Sequence, residues 1–178
     1  LVFKETFQWL VRGNYSYGLS ESVSDTTENK TANRIGYQLE VLYANRFAVN
    51  WEWAVGFRLD RENASLNEPV LDVPTNRYMV TGEFLYHFEK IPNSDNNMYA
   101  GVGLGYGISN TTISEQTSTG TVFVLPSLKV GYINRVSPRY SLVFEGAIES
   151  LAQAESFEDS SEQTTNIVNS KFSIGVRF

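Results

Sequence analysis

Residues 48–60, AVNWEWAVGFRLD, put a large apolar side chain at every second position: Val49, Trp51, Trp53, Val55, Phe57 and Leu59. Asn50, Glu52, Ala54, Gly56, Arg58 and Asp60 lie between them. A strand sends alternate side chains to opposite faces, so this stretch is one strand with an apolar and a polar face. A soluble antiparallel sheet with its polar face in water uses the same alternation. The number and length of the repeats decide between that setting and a membrane.

The pattern recurs along nearly the whole chain. Residues 6–20 set Phe7, Trp9, Val11, Tyr15, Tyr17 and Leu19 on one parity, and 34–43 set Ile35, Tyr37, Leu39, Val41 and Tyr43 on one. In 77–88, Tyr78, Val80, Phe84, Tyr86 and Phe88 face Met79, Thr81, Glu83, Leu85 and His87. In 98–108, Met98, Ala100, Val102, Leu104, Tyr106 and Ile108 alternate with Tyr99 and the glycines 101, 103, 105 and 107. Residues 121–133 carry Val122, Val124, Leu128, Val130 and Tyr132, read as one outward face. Pro126 falls on that face and removes a ladder donor, which predicts a bulge or bend. Residues 140–151 and 166–178 complete the series, the last with Phe172, Ile174, Val176 and Phe178 on one parity.

Eight strands result, with no convincing helix. The connections alternate: long polar stretches at 21–33, 61–76, 109–120 and 152–165, and short ones at 44–47, 89–97 and 134–139. Strands of about ten residues or more exceed the ~5–6 of soluble sheets and match the ~9–11 that cross a bilayer at a tilt. No apolar run reaches the ~18 residues of a helical span. The mean hydropathy of -0.25 agrees with a barrel, since half of each barrel strand faces a polar interior. Aromatic residues gather at strand ends, as in Phe7 and Trp9 against Tyr15 and Tyr17, with aliphatics between. Interfacial girdles explain that placement, and a sandwich core does not. The fold expected is an all-β, eight-stranded, antiparallel up-and-down transmembrane β-barrel.

Two stretches carry a family resemblance. Tyr99–Gly107 (YAGVGLGYG) resembles a glycine-aromatic strand, and Lys171–Phe178 (KFSIGVRF) resembles a C-terminal barrel-assembly signal. Lys171, Val176 and Phe178 fit that signal, while Ser173 stands where glycine is usual. On these residues the chain resembles the small Gram-negative outer-membrane barrels of the OmpA/OmpX type. The resemblance implies an outer-membrane location, with recognition of the C-terminal strand by the outer-membrane assembly machinery. Residues 1–178 are then one barrel domain with periplasmic termini and no C-terminal peptidoglycan-binding domain. Leu1 in place of a start methionine suggests a processed or trimmed chain.

The polar parities supply the candidate interior. Arg12, Arg34, Arg58, Lys129, Lys171 and Arg177 stand against Glu40, Glu52, Glu83, Glu145 and Glu149. An unpaired enclosed ion costs several kcal/mol, so these charges must pair. The expected mid-barrel network is Arg12, Glu40, Glu52, Glu83, Lys129, Glu145 and Lys171. It is either a plug or, with exchanging pairs, an ion path; eight strands leave an interior that side chains can fill. The glycine row is read as room for the long charged chains opposite, with a small-ligand or water cavity as the sharper alternative.

His87, the only histidine, points inward near the short-turn end, whereas an outer-membrane lipase would need Ser, His and an acid at the long-loop end, and no such trio is evident. One histidine and no cysteine do not suggest a metal site, and no loop has calcium-loop spacing. No catalytic residue, metal or cofactor is expected. The net charge of -6 disfavours nucleic acid. Glu21, Asp25, Glu28, Asp60, Glu62, Glu68, Asp72, Glu115, Glu155, Glu158, Asp159 and Glu162 are read as an acidic loop surface, against Lys30 and Arg61. It would repel or take a cationic partner, or bridge through divalent ions to lipopolysaccharide. The expected role is that of a monomer in outer-membrane lipid, structural and surface-interacting. A narrow channel comes second and a lipid-modifying enzyme third.

Overall fold

The alternation closes on itself. In the computed structural model, which describes residues 6–23, 33–67, 70–88, 96–113, 116–156 and 162–178, eight strands run in chain order. They are β1 (Thr6–Val23), β2 (Asn33–Arg46), β3 (Trp51–Asn67), β4 (Val70–His87), β5 (Asn96–Ile113), β6 (Gln116–Arg135), β7 (Ser141–Ser156) and β8 (Glu162–Arg177). Each pairs antiparallel with its chain neighbour, and β1 pairs with β8. Trp9 and Phe178 exchange backbone hydrogen bonds of 2.8 and 2.9 Å at the seam. Walking the register once round from Arg12, through Glu40, Arg58, Met79, Gly107, Val122, Gln153 and Thr165, returns to Val23. That offset along β1 is the stagger that tilts the strands of a closed barrel.

The outward parity is apolar. Phe57 is 70% exposed, and Leu104, Leu128 and Val130 are each more than half exposed. Near the short turns Phe7 stacks on Tyr43 at 5.7 Å, and Trp51 contacts Phe84 and Tyr86 at 5.0 and 4.9 Å. Towards the other end Tyr15 meets Tyr37 at 5.6 Å, and Tyr106 meets Phe123 at 4.8 Å. These two rings of aromatics flank a mainly aliphatic belt that includes Leu39, Val41, Val55, Val80 and Val102.

Two expectations are corrected. In the stretches 61–76 and 109–120, residues 61–67, 70–76, 109–113 and 116–120 are strand. β3 and β4 pair from Arg61↔Asn76 out to Asn67↔Val70, and β5 and β6 pair out to Ile113↔Gln116. Polar residues occupy both faces there because those strand ends pass the apolar belt, and a ladder needs only backbone groups. Pro74 lies beyond Thr75↔Thr111, the last β4–β5 pair, where a missing N–H breaks no rung. Of the expected loops, residues 24–32, 68–69, 114–115 and 157–161, with 89–95 of the short connection, lie outside the described residues.

The second correction follows from Pro126. The expected bulge is there: the β6–β7 register shifts between Leu125 and Leu128. The extra residue reverses parity above it. Val122 and Val124 therefore face inward and are buried, while Phe123 and Leu125 face out. Leu128, Val130 and Tyr132, below the bulge, face out as read.

Tyr99 points into the barrel and lies over Gly131, its register partner on β6. A Cβ at position 131 would overlap the Tyr99 ring. Gly131→Val should lower stability by roughly 1–3 kcal/mol through overpacking. Urea unfolding in lipid vesicles measures this, and a variant as stable as the parent would contradict the packing.

Candidate functional site

Every strand sends a polar group to one central network. β1 supplies Arg12, β2 Glu40, β3 Arg58 and Asp60, β4 Glu83, β6 Lys129, β7 Glu145 and Glu149, and β8 Lys171. Register places Arg12 opposite Glu40 and Glu40 opposite Arg58, and contacts across the lumen, such as Arg12 with Glu83 and Arg58 with Glu149, complete the network. Arg12 is the hub. Its Nε donates to Glu40 Oε2 at 2.6 Å, its Nη1 to Glu145 Oε2 at 2.9 Å, and its Nη2 to Glu83. Lys129 Nζ donates to Glu83 Oε1 at 2.5 Å and lies 3.5 Å from Glu145. Arg58 bridges Glu149 and Asp60, with contacts of 2.5 and 2.6 Å. Lys171 Nζ donates to Glu149 at 3.2 Å and lies 3.7 Å from Glu40. β5 adds the Tyr99 hydroxyl, which donates to Glu145 Oε2 at 2.8 Å. The forked guanidinium of Arg12, 1% exposed, thus ties three strands across the lumen.

Of the expected network, Arg12, Glu40, Glu83, Lys129, Glu145 and Lys171 meet here. Glu52 does not. It lies nearer the short turns, where Arg177 Nη1 donates to its Oε2 at 2.9 Å and His87 Nε2 is 3.2 Å away. His87 Nδ1 contacts Asn97 Nδ2 at 2.7 Å. The sequence reading puts Arg58 and Glu149 inside but beyond the central set, and Asp60 in a loop; all three belong to the network. The cause is strand length. β3 runs to Asn67 rather than to Asp60, so its midpoint falls near Leu59 and Glu52 sits at its end.

A second ion cluster lies towards the far end. Arg34 pairs with Glu21 at 2.5 Å and with Glu62 at 2.7 Å, and Arg77 pairs with Glu62 at 3.0 Å. Gln153 joins Arg77 at 2.8 Å and Glu155 at 2.6 Å. The acidic loop surface is therefore corrected. Glu21, Asp60, Glu62 and Glu155 are wall residues paired inside the barrel, because the strands that carry them extend past the belt. Asp72 and Glu162 also stand on strands, β4 and β8. Asp25, Glu28, Lys30, Glu68, Glu115, Glu158 and Asp159 lie outside the described residues.

Apolar layers separate these polar ones. Leu10, Leu42, Ala44, Ala54, Leu85, Tyr99, Ile133 and Val143 form one buried cluster on the short-turn side of the network. Leu10, Leu42, Leu85 and Val143 each follow the pleat two residues from Arg12, Glu40, Glu83 and Glu145. Met79, Val122, Val124, Leu151 and Ile167 form another on the far side. The glycine row makes room for a long charged chain at Gly103, where a Cβ would lie 3.6 Å from Lys129 Cε, and is otherwise closed by its strand neighbours. A Cβ would meet Leu85 at Gly101, Ser127 at Gly103, Val124 at Gly105 and Met79 at Gly107. Of the residues matched to an assembly signal, Lys171 points inward, while Val176 and Phe178 lie on the outer face.

No family model matches the chain, and no curated protein does. Among solved structures it is similar to Neisserial surface protein A (NspA), over 98% of this chain and 98% of that one, at 15% identity and a TM-score of 0.62. The fold is that of the small eight-stranded outer-membrane barrels. Ail, the attachment invasion locus protein of Yersinia pestis, solved with the heparin analogue sucrose octasulfate, matches over 97% and 99% of the two chains at 15% identity and a TM-score of 0.46. A major outer membrane protein of Thermus thermophilus matches over 97% and 100% at 12% identity and the same score.

Removing the hub takes from Glu40, Glu83 and Glu145 their nearest cation and leaves them to Lys129, Lys171 and Arg58. Arg12→Met should cost about 3–5 kcal/mol, the scale of a buried charge left without its partner. Equilibrium unfolding in vesicles reads the difference; a parent-like midpoint would show that the network does not hold the cross-section.

Proposed function

We propose that this chain is a closed outer-membrane barrel whose lumen is plugged and whose role is structural and surface-presenting. The observation that carries the reading is the lumen's cross-section at Arg12. There three carboxylates from β2, β4 and β7 converge on one guanidinium, with an apolar layer directly beneath. Water and ions moving through would have to break paired charges and then cross that layer, each at a cost of several kcal/mol. The aliphatic belt between two aromatic rings supports immersion in lipid.

In this reading residues 1–178 act as one monomeric barrel, with both termini, at the short-turn end, in the periplasm. Lys171, Val176 and Phe178 form the terminal-strand signal for the assembly machinery. The outer ends of β3–β4 and β5–β6 stand past the belt and offer ladders with polar side chains to lipopolysaccharide or to a surface partner. The barrel is not an enzyme. The channel reading is disfavoured because the central charges of the lumen, among the described residues, are matched in place.

Planar-bilayer recording tests this. The folded protein should insert without producing discrete conductance steps. Steps that change size on Lys129→Gln would overturn the plug and make the network a conduction path.

A further inference from the structure

The short-turn mouth of the lumen is a concave pocket of about 340 Å³. It is lined by Arg46, Arg135, Arg139 and Arg177, with donors such as Gln8 and Ser141 beside them. The chain as a whole is acidic, with twenty Asp and Glu against fourteen Lys and Arg. Yet four of those cations line this one pocket, and among the described residues no carboxylate does.

The rim is held in shape by its turn. Ser137 Oγ accepts from the backbone N–H of Arg139 and of Tyr140, both at 3.2 Å. Arg135 Nε donates to the Ser137 carbonyl at 3.4 Å. These bonds set Arg135 and Arg139 on the same edge of the mouth, and neither has a carboxylate partner among the described residues. In the wall, Arg177 spends both terminal nitrogens on Glu52. Its Nε–H is buried and has no acceptor among the described residues, although Arg177 is only 5% exposed. A buried donor left unmatched is destabilising. The pocket thus combines unmatched positive charge at its rim with an unmatched donor in its wall.

We infer that this mouth binds a phosphoryl group. Guanidinium forks match phosphate oxygens in paired hydrogen bonds, and a phosphoryl group can carry enough charge to meet two unpaired arginines at once. Tyr140, which lines the same pocket, is also exposed on the outer face. The site is therefore open to a phosphorylated solute from the water and to a phospholipid headgroup from the adjoining leaflet.

The test is NMR of the arginine Nε–H groups in 15N-labelled full-length protein held in a maltoside detergent, which has no phosphate. Inorganic pyrophosphate is titrated in one arm and phosphatidylglycerol in the other. Saturable shifts at Arg135, Arg139 and Arg177 are expected, with affinity weakened about tenfold or more in Arg135→Gln/Arg139→Gln, the loss that one or two charge-assisted hydrogen bonds imply. Both positions are exposed, and a heat-dependent gel mobility like the parent's shows that the double variant is folded. A response to pyrophosphate identifies a soluble phosphate ligand; a response to phosphatidylglycerol alone identifies a headgroup. No shift with either probe, or equal binding by the double variant, overturns the assignment.

Discussion

A peptide group that meets hydrocarbon has no water to bond, so its N–H and C=O must find partners in the protein. A strand cannot satisfy itself, and an open sheet always leaves two edges. Closure of β1 onto β8 removes both, and the rest of this molecule follows from that closure. It fixes which side of each strand is outside, so one parity can be wholly apolar. It also encloses the other parity, so the interior can be polar only if its charges are matched.

The matching is done in layers. Ionic layers alternate with apolar ones along the lumen: Arg177 with Glu52, then the Leu10 cluster, then the Arg12 hub. On the far side Met79, Val122, Val124, Leu151 and Ile167 precede Arg34 and Arg77 with their glutamates. Each apolar layer excludes water from the ion pairs beside it, which strengthens them and raises the cost of breaking them. Arginine suits the hub because its fork reaches three acceptors in a plane, where a lysine would offer a point charge. The same layering leaves the Arg-lined mouth outside the sealed portion, open at the short-turn end.

Parity is the most legible feature of the chain. It is a local property, and alternation alone assigns the outward face of β3 and most inward charges. Levels along the axis are less legible. They depend on strand tilt and on where each strand ends, and the ends here are polar on both faces. For that reason 61–76 and 109–120 read as loops, Glu52 reads as central, and Asp60 and Glu62 read as exposed acids. At Pro126 the missing donor is visible, but the reversal it imposes on Val122 and Val124 depends on the register of β6 against β5 and β7. Tyr99 has a clear inward parity. Its seat over Gly131 and its bond to Glu145 are cross-strand facts that no single stretch contains.

The central claim is that the aromatic and aliphatic face meets lipid while the charged face does not. Three tryptophans, Trp9, Trp51 and Trp53, all sit on that outer face near the short turns. Their fluorescence in vesicles made with brominated phospholipids measures the claim directly. Lipid-borne bromine should quench them strongly, and aqueous iodide weakly. Quenching by iodide with no response to brominated lipid would place that face in water and contradict the account.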